Sequence, residues 1–158
     1  MKTLIISILF VLPISKLMGQ SRIFKGNSSY TSDVMFNVYD DKVYKGNSRY
    51  SSDIVCNIKD LKVFKKSSNY SSDVIYTLKD GKVYKGNSAY SSDVIWTVKD
   101  SKIYKGNSSY SSDVMANFKD GKVYKGNSSY SSDILYSYDG NLTLPEFIAI
   151  WHCINYVY

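Results

Sequence analysis

The chain has 158 residues with a formal net charge of +6, 44% hydrophobic and 15% aromatic residues, and sixteen tyrosines. That length suits one ordinary domain rather than two. The modest basic excess alternates Lys with Asp along the chain, a solvated surface rather than a nucleic-acid footprint.

Residues 1–19 read as a signal peptide. Lys2 supplies the positive start, Leu4 to Ile14 an apolar run broken by Pro13, and Gly19 a small residue before Gln20. The run is too short to span a bilayer, which takes about 20 apolar residues, so no transmembrane anchor is expected. Cleavage would remove Lys2 and Lys16 and leave 18 basic against 14 acidic residues. The expected location is extracytoplasmic, periplasmic or secreted.

Residues 20–142 are dominated by a 20-residue repeat. Copies begin at Asp33, Asp53, Asp73, Asp93 and Asp113, as in DVIYTLKDGKVYKGNSAYSS, with a leading half-copy from Ile23 and a trailing one from Asp133. Val74–Lys79 and Lys82–Lys85 are rich in β-branched and aromatic residues and predict two strands. Asp80-Gly81 between them suits a two-residue turn in which both central residues have φ > 0. This pairs Lys79 with Lys82, Leu78 with Val83 and Thr77 with Tyr84. Val74, Tyr76, Leu78 and Val83 then share a core face, and Ile75, Thr77 and Tyr84 the other. Leu61 occupies the Gly position in its copy, so that turn is expected to be wider or strained.

The connection Gly-Asn-Ser-x-Tyr-Ser-Ser-Asp is turn chemistry. Its Asp residues, Asp33 to Asp133, are expected to cap the loops through local amides rather than to hold metal, since each loop brings one acid and metal loops cluster several oxygens. Asn27, Asn107 and Asn127 match a glycosylation pattern but stand where the turn needs Asn. The loop from Lys65 has Lys66-Ser67 in place of Gly-Asn and is expected to differ locally.

A lone hairpin is marginal and needs neighbours. Six strands of each type are expected, the unpaired ones at opposite ends of the chain. The Ile23 strand can pair with the Asp133 segment and close a radial ring without free edges, or the hairpins can form a short open solenoid with capped ends. The fold class is all-β: six tandem hairpin repeats with one C-terminal helix. Residues 143–158 form that helix, with Thr143 as its cap, Pro145 in the first turn and Glu146 completing a capping box. Phe147, Ile150, Trp151, Ile154 and Val157 fall on one stripe, expected to cover an apolar opening of the hairpin assembly. Cys56 lies in a repeat and Cys153 in the tail, and their spacing leaves open whether they meet.

At YKGNSxYSSDVIYTxKDGKVYKG, and in the tail LTLPEFIAIW, the chain resembles the four-fold β-flower repeat proteins, a bacterial secreted family, although it carries six copies. The resemblance implies a radial arrangement of hairpins and transfers no catalytic residue. More distantly, KDGKVYKG is similar to MORN repeats, and the aromatic 20-residue period to choline-binding repeats, in architecture only.

No enzyme is expected. His152 is the sole histidine, without partners at motif spacing, and no serine lies in a nucleophile elbow. Nothing points to a cofactor or a metal. Two classes of function remain. One is a binding module for a glycan or another extended envelope ligand, through the loop tyrosines Tyr30, Tyr50, Tyr70, Tyr90, Tyr110 and Tyr130. The other is a structural or assembly protein of the envelope. The strand aromatics, Tyr84 and its equivalents, are expected to pack; the loop tyrosines can bind ligand or staple each loop to the next hairpin. The sequence leaves the oligomeric state open.

Overall fold

The computed structural model describes residues 19–157, so the expected signal peptide, apart from Gly19, lies outside the described residues. Within these, alternating long and short strands follow one another: β1 (Ser21–Lys25), β2 (Val34–Tyr39), β3 (Lys42–Lys45), β4 (Ile54–Lys59), β5 (Lys62–Lys65), β6 (Val74–Lys79), β7 (Lys82–Lys85), β8 (Val94–Lys99), β9 (Lys102–Lys105), β10 (Val114–Lys119), β11 (Lys122–Lys125) and β12 (Ile134–Tyr138). Each pairs antiparallel with its sequence neighbours, and β1 pairs with β12, Ile23 opposite Tyr138 and Lys25 opposite Tyr136. The ring closes and the open solenoid is excluded: the half-copies at the two ends of the repeat complete one another.

Within the hairpins the register is the one the turn chemistry predicts, with Lys79 opposite Lys82, Leu78 opposite Val83 and Thr77 opposite Tyr84. All five two-residue turns place both central residues at positive φ, including Asp60 at +51° and Leu61 at +59°. The Leu61 turn is therefore no wider than the others; Lys59 still faces Lys62. The backbone of the whole ring imposes the left-handed conformation on a residue with a Cβ, which costs about 1–2 kcal/mol. Leu61→Gly is expected to raise stability by about 1 kcal/mol, read as a higher urea midpoint at unchanged slope.

Between hairpins the register differs from a plain ladder. Val83 faces Trp96 but Tyr84 faces Val94, so Ile95 is skipped, and the same shift recurs at all six junctions. A bulge of one residue reverses the faces of what precedes it. Val74, Val94 and Ile54 thus move to the outer side, opposite Phe64, Tyr84 and Tyr44, whereas Met35, Val55, Ile75 and Ile95 pack toward the central core. This corrects the assignment of Val74 to the core face and Ile75 to the other.

A twelve-strand barrel is too wide for its own side chains to fill. The filling is α1 (Leu144–Tyr156). Thr143 caps it, and Glu146 reaches back to accept from the Thr143 amide at 2.7 Å. Phe147 to Trp151 are all buried, a run that goes right round a 3.6-residue turn, so α1 occupies the bore. It contacts strands all around the ring. Phe147 packs on Phe118 (ring centroids 4.5 Å apart), Trp151 edge-on to Trp96 (6.4 Å), His152 against Tyr76 (5.2 Å), and Cys153 touches Cys56. The single stripe expected from the sequence describes only part of this: Ile148 and Ala149, outside it, are fully buried, and Val157, on it, is exposed.

A helix has no six-fold axis, and the repeat departs from six-fold identity where it meets one. The wall position against α1 is Phe36, Cys56, Tyr76, Trp96, Ala116 or Tyr136 in successive copies, whereas the deeper short-strand position stays Ile or Val throughout, from Ile23 to Val123.

Candidate functional site

The hairpin turns and the long connections lie at opposite ends of the strands, so six equivalent loops run from each short strand to the next long one. In the loop after β7, Gly86 turns at φ +59° and its amide donates to the Ile75 carbonyl at 2.7 Å. Ser88 Oγ accepts from the Tyr90 amide at 3.2 Å and donates to the Asp93 carboxylate at 2.5 Å. The Asp93 amide closes a short turn on the Tyr90 carbonyl at 2.9 Å. The serine-to-carboxylate bond recurs in all six loops at 2.5–2.6 Å. The amide expected to bond the Asp carboxylate is taken by the serine oxygen instead, and the carboxylate holds that serine in place.

The loop that lacks Gly-Asn keeps the same scaffold. Lys66 adopts φ +50°, its amide donates to Val55, and Ser68 still bonds Asp73. The expected local difference is therefore absent from the backbone. An open hollow of about 810 Å³ lies over this loop, bordered by Lys66, Asn69, Tyr70 and Asp73.

A second set of residues holds the loops back against the outer wall, and these were not singled out from the sequence. Asn37 Nδ2 donates to the Gly46 and Ser48 carbonyls (3.0 and 2.6 Å), Thr77 Oγ1 to Gly86 (2.9 Å), Thr97 to Gly106 (2.8 Å), Asn117 to Gly126 and Ser128 (both 2.8 Å). Asn57 and Ser137 make the equivalent bonds to Ser68 and Ser28. The available signal was a polar residue at the same outward position of every long strand, in the middle of an apolar run. Under the folded-back loops, Phe24, Tyr44, Phe64, Tyr84 and Tyr104 are buried, so the strand aromatics pack.

The loop tyrosines do the opposite. Tyr30, Tyr50, Tyr70, Tyr90, Tyr110 and Tyr130 are 74–77% exposed, each at the start of the short turn that precedes a long strand. None is stapled beneath a neighbouring hairpin. One stands between each pair of successive hairpins of a closed ring, so they are spread around the perimeter and do not gather in one cleft. The rigid hydrogen bonds beneath each fix its backbone while its ring stays in water.

His152 sits on the last turns of α1, half-buried, hydrogen-bonded through Nδ1 to the Tyr76 hydroxyl at 2.8 Å, with Tyr156 against its other side. Burial holds its imidazole below the usual pKa. Among the described residues no three His, Cys, Asp or Glu side chains gather as a metal site, and no helix is long and apolar enough to cross a membrane.

Among curated proteins none matches the chain. None of the solved structures matches it either. One family model does match, described as a 6-fold beta flower protein, over residues 14–62 and 43–147. The six-fold description replaces the four-fold one suggested by the motif, and the geometry shows why: five complete hairpins and one assembled from the two ends make six units around α1. The likeness to MORN and choline-binding repeats gains no support here. With the two matched segments together running from residue 14 to 147 and the closed ring of six hairpins in place, the chain belongs to the 6-fold beta flower family.

Proposed function

We propose that the protein is a non-enzymatic binding module, exported to an extracytoplasmic location, that engages an extended ligand such as a cell-surface glycan through its six loop tyrosines. The observation that carries this reading is their exposure. Tyr30, Tyr50, Tyr70, Tyr90, Tyr110 and Tyr130 leave large, stiff aromatic rings in solvent on loops whose backbones are tied down, while the strand aromatics six residues earlier are mostly buried. A ring with few rotatable bonds, held by a rigid scaffold, offers a flat apolar face and a hydroxyl at low entropic cost. Repetition at six equivalent sites lets weak contacts add by multivalency. Asn and Lys side chains of the same loops, such as Lys66 and Asn69 around the hollow at Tyr70, supply hydrogen-bond donors.

A second reading, a rigid structural or assembly protein of the envelope, is favoured by the closed ring with its filled bore, which needs no ligand to complete its core. A glycan array read with labelled protein separates the two, with Tyr90→Ala/Tyr110→Ala as the test variant. Its stability is expected to stay within about 1 kcal/mol of the parent, because surface substitutions of this kind cost about 0.5 kcal/mol or less each. Its binding is expected to fall at least about tenfold, as two of six linked contacts are lost. Absence of any bound glycan, or undiminished binding by the variant, would leave the structural reading.

A further inference from the structure

The chain has two cysteines, 97 positions apart, and they meet in the bore with their sulfurs 3.7 Å from each other and no exposed surface on either residue. Cys56 occupies one of the six equivalent wall positions that face α1, where the other copies carry Phe36, Tyr76, Trp96, Ala116 and Tyr136. The one copy with a thiol is the one against which the helix places its own. We infer that Cys56 and Cys153 are a redox latch: in contact with a low-molecular-weight disulfide such as oxidised glutathione they close into a disulfide that ties α1 to β4 of the barrel wall.

At 3.7 Å the sulfurs are in van der Waals contact. A bond requires them about 1.7 Å closer, within reach of χ1 rotation in two short side chains. The Cys56 thiolate attacks one sulfur of oxidised glutathione and expels a glutathione thiolate, giving a mixed disulfide. The Cys153 thiolate then attacks Cys56 Sγ and expels the second glutathione thiolate. Two protein thiols are oxidised, one small disulfide is reduced to two thiols, and the two protons released by the cysteines pass to the departing thiolates.

With α1 seated, this exchange is blocked. The hydrogen bond to Cys56, and then burial, hold the Cys153 thiol far above its ordinary pKa, and no oxidant reaches a fully buried sulfur. The latch therefore closes during folding, before α1 is fully seated. Once closed it is shielded from reductants, and it keeps the helix that fills the bore from leaving it.

The test is to refold the full chain from its denatured, reduced state with and without oxidised glutathione. The oxidised product is expected to lose the two thiol hydrogens in mass and to resist alkylation after denaturation. Non-reducing proteolysis is expected to release a linked peptide pair carrying Cys56 and Cys153. Its Tm is expected to rise by about 10 °C, given the long loop closed. Cys56→Ala, refolded the same way, is expected to show no such rise. Two alkylatable thiols, glutathione adducts without a linked pair, a bridged product no more stable than the reduced one, or an equal gain in Cys56→Ala would each overturn the latch.

Discussion

Deletion of residues 143–158 is expected to leave a chain that no longer unfolds as a cooperative monomer. The strands alone enclose a bore that their side chains do not fill, and α1 supplies Phe147, Ile148, Ala149, Ile150, Trp151 and Cys153, all buried, to fill it. Without them the inner faces of β2 to β12 meet water or another chain, an apolar surface far larger than soluble monomers carry. A point change scales the effect. Trp151→Ala removes a buried indole that packs edge-on against Trp96, and is expected to cost about 3–5 kcal/mol. Size-exclusion chromatography and urea unfolding followed by circular dichroism give both readouts. A deletion variant that stays monomeric and unfolds with the parent's midpoint would show that the strand ring is self-sufficient.

Raising the pH above 10 is expected to destabilise the fold steeply through two tyrosines inside the bore. Burial, with a smaller contribution from Tyr138, holds the Tyr136 hydroxyl well above its ordinary pKa. Tyr76 is pushed up in the same way, by burial first and then by Tyr156. In the unfolded chain both ionise near pH 10. Above that pH the folded state keeps both protons that the unfolded chain has lost, so the contribution of these two tyrosines is level below pH 10 and falls as pH rises further. The fall is about 1.4 kcal/mol per pH unit for each residue, about 3 for the pair. Tyr136→Phe is expected to make the fall shallower by about 1.4 kcal/mol per pH unit, the remainder coming from Tyr76, Tyr138 and Cys153, which the fold also raises. Because the Tyr136 hydroxyl is buried without a protein hydrogen-bond partner, the same change is expected to add about 1 kcal/mol at pH 8. Urea midpoints of both proteins at pH 8, 10 and 11 decide it; identical slopes would place the alkaline sensitivity elsewhere.

The hairpin was legible because its determinants are local. Strand period, the Asp-Gly turn and the Lys79–Lys82 register follow from residues within ten positions of one another, and the capping box at Thr143 and Glu146 is as local. Even the closed ring could be posed from the sequence, since the repeat starts with one kind of strand and ends with the other. The loop tyrosines could be picked out by position, but their exposure could not, because it depends on whether the next hairpin covers them. The bulge at Ile75 and its equivalents was hidden as well. Alternation within a single strand puts Val74 inside, and only pairing with the neighbouring repeat, where Tyr84 faces Val94, moves the equivalent residue outside.

The sequence by itself determined the repeat unit, the number of hairpins, the turn conformation demanded at each tip and the start of the final helix. These are short-range choices in which backbone sterics and alternating apolar residues leave few options. Tertiary structure alone decided that the helix stands in the bore rather than over its mouth, that the loops fold back onto Asn37, Thr77 and their equivalents, and that Cys56 meets Cys153. The physical reason is the width of the ring: twelve strands enclose more room than their own side chains fill, and α1, the one apolar helix among the described residues, must enter it.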